Sequence, residues 1–485
     1  MARPFHSPLL RGLLLLAIAL AAPAGGIAPP RYDLVILHGR VIDPASGMDR
    51  VAHLAIAGGR IAAVTSHPPA GAVTISARGL VVAPGFIDLL AGPQAARDPL
   101  KVADGVTTAL DTHRGPVDPT TWFRETAAVG ARIHYGTAVG HGALRAAVGL
   151  TDPREPASPQ QVRRMAALAD RAIRAGALAI AFGIEYLPGT SGQEVVALAE
   201  VAARHGVPVH AHIRLPHLHD PFQGINELIA AAALTGARVH VMHIGSMAIH
   251  RQREALALLD RARQRGIDIA ADVYPYDAFM TRIESSLFDP GWQQKYQLDF
   301  SDLVWPETGE RLTAESFERY RRQGGWVIAH QIPEAEIEWA LRHPWVCIAS
   351  DGIYSEGNAN HPRSAGTFAR VLGHYVRERK VLSLREALRK MTWLPAQRMS
   401  AAAPALARKG RIAAGMDADL TLFDPATVID RATYREPRRA SAGIRYVIVG
   451  GRIVVREGEV VPGAHAGRAI ISGAARPRPR SPAPR

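Results

Sequence analysis

Between residues 81 and 350 the chain alternates strand-like and helix-like segments, and no other feature restricts its fold as strongly. Apolar runs of strand length lie at 81–89, 105–111, 133–139, 177–184, 207–213, 238–244, 267–273 and 345–350. Amphipathic stretches of helical period separate most of them, for example SPQQVRRMAALADRAIRAGA and SGQEVVALAEVAARHG. Eight strands alternating with helices predict an α/β fold, a (β/α)8 TIM-type barrel over residues 83–407. The interval 279–343 is too long for one crossover and is expected to hold an insertion over the functional face.

The flanks follow another rule. DLVILHGRVID, HLAIAGGRIAAVTS and GLVVAPG are short β-type runs separated by turns at His38-Gly39 and Gly58-Gly59. The pattern returns in DADLTLFDP and IRYVIVGGRIVVREGE, with a turn at Gly450-Gly451. These runs predict one small β-sandwich domain assembled from both chain ends, residues 31–82 plus 408–470.

The first 24 residues read as an export signal. Arg3, His6 and Arg11 precede a short apolar run at 12–20, and Ala22-Pro23-Ala24 offers a small-residue cleavage site. The run is shorter than the ~20 residues that span a bilayer, so the mature chain is expected to be periplasmic or secreted, with no stable membrane span. Cys347 is the only cysteine, which excludes an internal disulfide, and its apolar neighbours predict a buried strand position. The formal charge of +13 invites a nucleic-acid reading. Part of it sits in the leader and in the Pro/Arg tail at 474–485, which is expected to be disordered; the rest is scattered and no nucleic-acid motif accompanies it. A small-molecule partner is expected instead, and oligomeric state is left open.

In a barrel of this kind, chemistry sits at the carboxyl ends of the strands. The fifth run ends in His210-Ala211-His212, the sixth in Met242-His243 and the eighth in Ser350-Asp351. Two imidazoles and a carboxylate from three strand ends are the ingredients of a hydrolytic zinc site. Each has a plainer reading, as a hydrogen-bonded rim residue or, for Asp351, a cap. Alternation along a strand turns His210 away from His212 and His240 away from His243, so both are assigned to structure.

Longer stretches carry a resemblance. APGFID (83–88), DGVTTALD (104–111), FGIEYLPG (182–189), HAHIR (210–214), DVYPYDAFMTRIESSLFD (272–289), ASDG (349–352), HPRSAGTFARVLGHYVRE (361–378) and GMDADLTLFDP (415–425) occur in order. With them the chain resembles the amidohydrolase superfamily, and within it the N-acyl-D-amino-acid deacylases of the D-aminoacylase and D-glutamate deacylase type. The resemblance implies zinc-dependent hydrolysis of a non-peptide amide, releasing a carboxylate and a D-amino acid such as D-glutamate. It implies His212 and His243 as metal ligands and Asp351 as the proton shuttle. Arg363 is the implied clamp on the substrate carboxylate, Tyr186 lines the implied pocket, and Arg282 and Tyr276 face the substrate side chain.

The chain departs from that pattern in two places. The His-x-His pair expected after Phe-Ile-Asp is replaced by Leu90 and Gly92. After the second run, where a further ligand belongs, stand Asp111, Thr112, His113 and Arg114. Three readings follow: one zinc ion held by His212, His243 and His113 or Asp111; a catalytically silent barrel that binds an acyl-amino acid or peptide-like ligand; or a rearranged centre for another amide or lactone. The first is the expectation carried forward. No Gly-x-Ser-x-Gly elbow supports a serine hydrolase.

Overall fold

A computed structural model describes residues 32–214, 220–354 and 360–475. The export signal at 1–24 lies outside them, as does all of the tail beyond residue 475. Each of the eight expected runs contains a parallel strand. Six pair in the order Val346–Ile348, Ile269–Val273, Val239–Val241, Val209–His212, Ile180–Gly183 and Val139–Gly140. Three more, Phe86–Asp88, Val106–Asp111 and His134–Thr137, form a second parallel sheet. The run at 133–139 thus splits and contributes one strand to each sheet. Helices connect the strands where the period predicted them: Ser158 closes a capping box at the start of Pro159–Arg174, and Ser191 caps Gly192–His205.

The two chain ends meet as expected, though not as two facing sheets. Tyr32–Asp43, Met48–Ala57, Arg60–Thr65, Gly71–Ser76, Val81–Pro84, Leu420–Phe423, Ile444–Val449, Arg452–Arg456 and Glu459–Val460 join in one nine-stranded sheet. The seam is Val81–Pro84, which pairs parallel to the first of these strands and antiparallel to Leu420–Phe423. Gly85 then passes the chain into the parallel set: a Cβ there would lie 2.2 Å from Thr107 Oγ1, so only glycine fits.

The insertion folds as a four-stranded sheet of Ala278–Arg282, Trp326–His330, Leu303–Trp305 and Glu310–Arg311. Phe288, Trp292, Phe300 and Phe317 pack together beneath it, with Trp292 stacked 5.4 Å from Phe317. Cys347 is buried in the last parallel strand and burial pushes its thiol up to about 12, so it is no nucleophile. Among the described residues no helix is long and apolar enough to cross a membrane.

One buried carboxylate joins the terminal sheet to the parallel set. Asp419 accepts from Lys409 Nζ at 2.5 Å and from Gly450 N at 2.7 Å, and pairs with His134 Nε2 at 3.1 Å. Burial alone would raise this carboxyl, but Lys409 and His134 outweigh it and hold it well below the usual carboxylate range. A depressed pKa stabilises the fold above the unfolded value, and that stability is lost as pH falls through it toward the folded value. Asp419→Asn is therefore expected to cost about 3 kcal/mol at neutral pH, as for a broken buried ion pair. In urea denaturation the gap from wild type should narrow as pH drops from about 5 toward 3. A gap that stays constant with pH would refute this.

Candidate active site

The carboxyl ends of the parallel strands converge on one cavity of about 600 Å³. His212 closes the strand Val209–His212; His243 lies two residues beyond Val239–Val241, His113 two beyond Val106–Asp111, and Asp351 three beyond Val346–Ile348. All four side chains line the cavity. His210 and His240 do not line the cavity and stack on each other at 4.5 Å. Below the site His210 Nδ1 meets Thr112 Oγ1 at 2.7 Å, and His240 Nε2 meets Asp272 Oδ2 at 2.6 Å.

Two of the four residues hold left-handed backbone, rare for anything but glycine: His243 at φ 31° and Asp351 at φ 51°. Buried neighbours maintain both. Asp272 Oδ1 accepts from the His243 N–H at 2.8 Å, and Arg363 Nε donates to the Asp351 carbonyl at 2.8 Å.

Several donor atoms in the cavity form a group that could hold a metal ion. His212 Nδ1 and His243 Nε2 face each other at 3.1 Å. Each ring has its other nitrogen engaged, with Glu185 on His212 Nε2 and Ser246 Oγ 2.9 Å from His243 Nδ1. Such outer partners leave the inner nitrogens directed at a common point, as around a bound metal. His113, His243 and Asp351 each offer one ligand atom within 4.8 Å of the others. Burial lowers the His243 imidazole to about 4 and the His212 imidazole well below its ordinary value, so both rings are the neutral form that binds metal. Burial also pushes the Glu185 carboxyl up to about 8, and Tyr296 donates to its Oε1 at 3.0 Å.

Asp351 stands between His113 and Arg363. His113 Nε2 lies 2.6 Å from Oδ1 and Arg363 Nη2 lies 2.6 Å from Oδ2. Burial would raise this carboxyl, but Arg363 first and then His113 hold it well below the usual carboxylate range. It is ionised wherever the protein is folded near neutrality.

The first strand carries no imidazole where the resemblance implied a pair. Leu90 is fully buried, and Gly92 has φ 81° with Gly352 O 2.6 Å from where a Cβ would lie. Asp88, the last residue of APGFID, is consumed by Lys101 Nζ at 2.9 Å and by Ser350 Oγ at 2.5 Å. Ordinary hydrogen bonds close the corner, including Gly352 N to Leu90 O at 2.9 Å.

The remaining expectations divide. Tyr186 lines the cavity, its ring 4.8 Å from His212 and its hydroxyl 2.9 Å from Thr281 Oγ1. Arg363 lines it too, though two of its nitrogens are occupied by Asp351. Arg282 reaches the rim but pairs with Glu284 at 2.6 Å and lies over the Trp326 ring. Two expectations are corrected. Tyr276 does not line the cavity; it packs edge-on to His361 at 5.6 Å with its hydroxyl 3.2 Å from Asp430, because the chain turns into the insertion there. Asp111 lines the cavity but, like His212, is not in the group of His113, His243 and Asp351, and unlike His212 it has no contact with that group: it bridges to Leu90, its Oδ1 has no partner, and burial raises its carboxyl. Glu185, Ser246 and Asp272 were not anticipated. Glu185 directly precedes Tyr186 in FGIEYLPG, yet nothing local marks it as the partner of a histidine 27 positions later.

The model of the amidohydrolase family matches residues 94–455. The N-acyl-D-glutamate deacylase of Alcaligenes xylosoxydans xylosoxydans is 33% identical over 470 residues, covering 87% of this chain and 93% of that one. A crystal structure of N-acyl-D-glutamate deacylase from Bordetella bronchiseptica, complexed with zinc and a phosphonate mimic of the tetrahedral intermediate, superposes with a TM-score of 0.79. It is 28% identical and covers 91% of this chain and 100% of its own. A D-aminoacylase structure, described in terms of one-metal activation and second-metal attenuation of its binuclear centre, superposes at 0.77. It is 29% identical with the same two coverages.

Proposed function

The chain belongs to the amidohydrolase family, and from that membership we propose that it is a zinc-dependent hydrolase removing the acyl group from N-acyl-D-amino acids. The observation that carries the reading is the grouping of His113, His243 and Asp351, each with a ligand atom within 4.8 Å of the others, with His212 Nδ1 3.1 Å from His243 Nε2 in the same cavity. These four residues would hold one ion. When bound, zinc supplies Lewis acidity, polarising an acyl carbonyl and making water acidic enough to attack at neutral pH.

The chain's own residues do the rest. Asp351 takes the proton of the attacking water and returns it to the leaving amine, so that a carboxylic acid and a free amino acid separate. Arg363 keeps Asp351 ionised and oriented through two contacts. Glu185 and Ser246 fix the rotation of His212 and His243. Tyr186, Phe279, Met280 and Trp326 wall the cavity and exclude water from the reacting atoms.

We read the two parallel sheets as arcs of one (β/α)8 barrel. Ser350 N donates to Asp88 Oδ1 at 3.0 Å and Gly352 N to Leu90 O, linking the last strand to the first. The leader composition supports an exported protein, which fractionation of the expressed full chain would check.

The filled first-strand corner favours one rival, a silent barrel that binds without turnover. Metal content of the purified protein, paired with release of free amino acid from N-acetyl-D-glutamate and N-acetyl-D-methionine, separates the two. The deacylase reading expects about one zinc per chain and D-specific turnover. Absence of both metal and turnover would sink it.

A further inference from the structure

The insertion reaches the proposed metal donors through one line of side chains. Tyr296 Oη donates to Glu185 Oε1 at 3.0 Å, and Glu185 Oε2 pairs with His212 Nε2. Three separate segments thus meet in sequence, ending at the ring whose Nδ1 faces His243. All three side chains are buried: Tyr296 is 4% exposed, Glu185 2% and His212 9%. Ser286 Oγ, also from the insertion, donates to the Glu185 carbonyl at 2.9 Å and so holds the backbone of the middle member.

Packing secures the outer end of the line. Tyr296 closes the short helix Trp292–Tyr296, and Trp292 lies about one turn earlier on the same face. Trp292 stacks on Phe317 and meets Phe288 and Phe300 edge-on, at 5.3 Å and 5.6 Å. An aromatic nest, rather than a free loop, presents the phenol to Glu185.

We propose that Tyr296 is a positioning residue for the metal centre, setting zinc affinity through Glu185 and His212. The inference rests on the zinc-dependent reading above and deepens it. A ring that binds a cation through Nδ1 keeps its proton on Nε2, and that proton needs an acceptor. Glu185 Oε2 is the acceptor, and the Tyr296 hydroxyl on Oε1 fixes the plane of the carboxylate. Without the hydroxyl, Oε1 would be buried without a donor, which favours turning the carboxylate off the ring. None of the four proposed donors belongs to the insertion, so it acts on metal binding from behind the ligands.

The test is zinc affinity, read by competition with a chelator, together with the visible spectrum of the cobalt-substituted protein. Wild type is compared with Tyr296→Phe, Glu185→Gln, their double variant and Tyr320→Phe. Tyr320 donates within the insertion to Glu310 Oε2 at 2.7 Å and does not line the cavity, so its variant reports general loosening of the insertion. Zinc should bind about 10-fold more weakly in Tyr296→Phe and about 10- to 100-fold more weakly in Glu185→Gln, the range for partners behind a metal ligand. The cobalt bands should shift in both. In the double variant Tyr296→Phe should add less than about twofold, because the phenol acts through the carboxylate, and Tyr320→Phe should stay within about twofold of wild type.

Equal affinity of Tyr296→Phe and wild type overturns the inference. So do additive losses in the double variant, or equal weakening in Tyr320→Phe. Each of these leaves the deacylase reading standing. Should Glu185→Gln not fold, the Tyr296→Phe and Tyr320→Phe affinities and spectra decide. If wild type binds zinc without hydrolysing N-acetyl-D-methionine, the deacylase reading fails and the same affinities still decide Tyr296. If wild type binds neither zinc nor cobalt, both fail.

Discussion

Asp351→Asn is expected to lower kcat for an N-acyl-D-amino acid about 10³-fold, within the range for removal of a general acid–base group, while zinc stays bound. The amide side chain keeps the shape of the carboxylate but cannot accept the proton of attacking water. Three imidazoles, His113, His212 and His243, still converge on the metal, and three protein ligands suffice for a catalytic zinc site. The substitution also leaves the Arg363 guanidinium, 1% exposed, facing a neutral group. The melting temperature should therefore fall, by an amount set by an uncompensated buried charge, about 3 kcal/mol or more. Kinetics, metal analysis and calorimetry on the same preparation check all three. A variant that retains kcat within about tenfold would remove Asp351 from the proton-transfer role.

Rebuilding the missing histidine pair gives the second large effect. Leu90→His combined with Gly92→His is expected to destabilise the protein severely and to add no second zinc. Leu90 is fully buried against the core, so an imidazole there loses apolar contact and leaves polar atoms without partners. Gly92 adopts φ 81°, and a Cβ would be placed 2.6 Å from Gly352 O and 3.2 Å from the Tyr354 ring. Since Gly352 N donates to Leu90 O, that backbone cannot retreat without breaking the link between the last and first strands. Overpacking and backbone strain together put the cost at about 3–6 kcal/mol. A double variant that melts like wild type and carries a second equivalent of zinc would show that the corner is open.

The two variants probe opposite sides of one design. The proposed metal donors follow or end the strands Val106–Asp111, Val209–His212, Val239–Val241 and Val346–Ile348, while Asp88 at the first strand is held by Lys101 and Ser350. Lys101 is itself fully buried, between Asp88 and Ser350 Oγ at 2.8 Å. A buried lysine and carboxylate that satisfy each other leave no lone pair for a cation.

Much of this was legible in the sequence, because it depends on local period. Eight apolar runs separated by amphipathic helices named the parallel strands, and the ends of three runs pointed to His212, His243 and Asp351, with His113 implied by the resemblance. Alternation along a strand also separated His212 from His210 and His243 from His240. The absent first-strand ligands were visible as Leu90 and Gly92.

Where side chains meet across distant segments, only the tertiary structure decided. It carried Tyr276 out of the cavity toward Asp430, 154 residues away, and brought Arg282 into a pair with Glu284. It set Glu185 on His212 and paired Arg363 with Asp351. Strand period states which face a residue occupies, since that follows from backbone geometry repeated every two residues. Which carboxylate reaches which cation depends on how loops pack over the strand ends, and no local repeat encodes that.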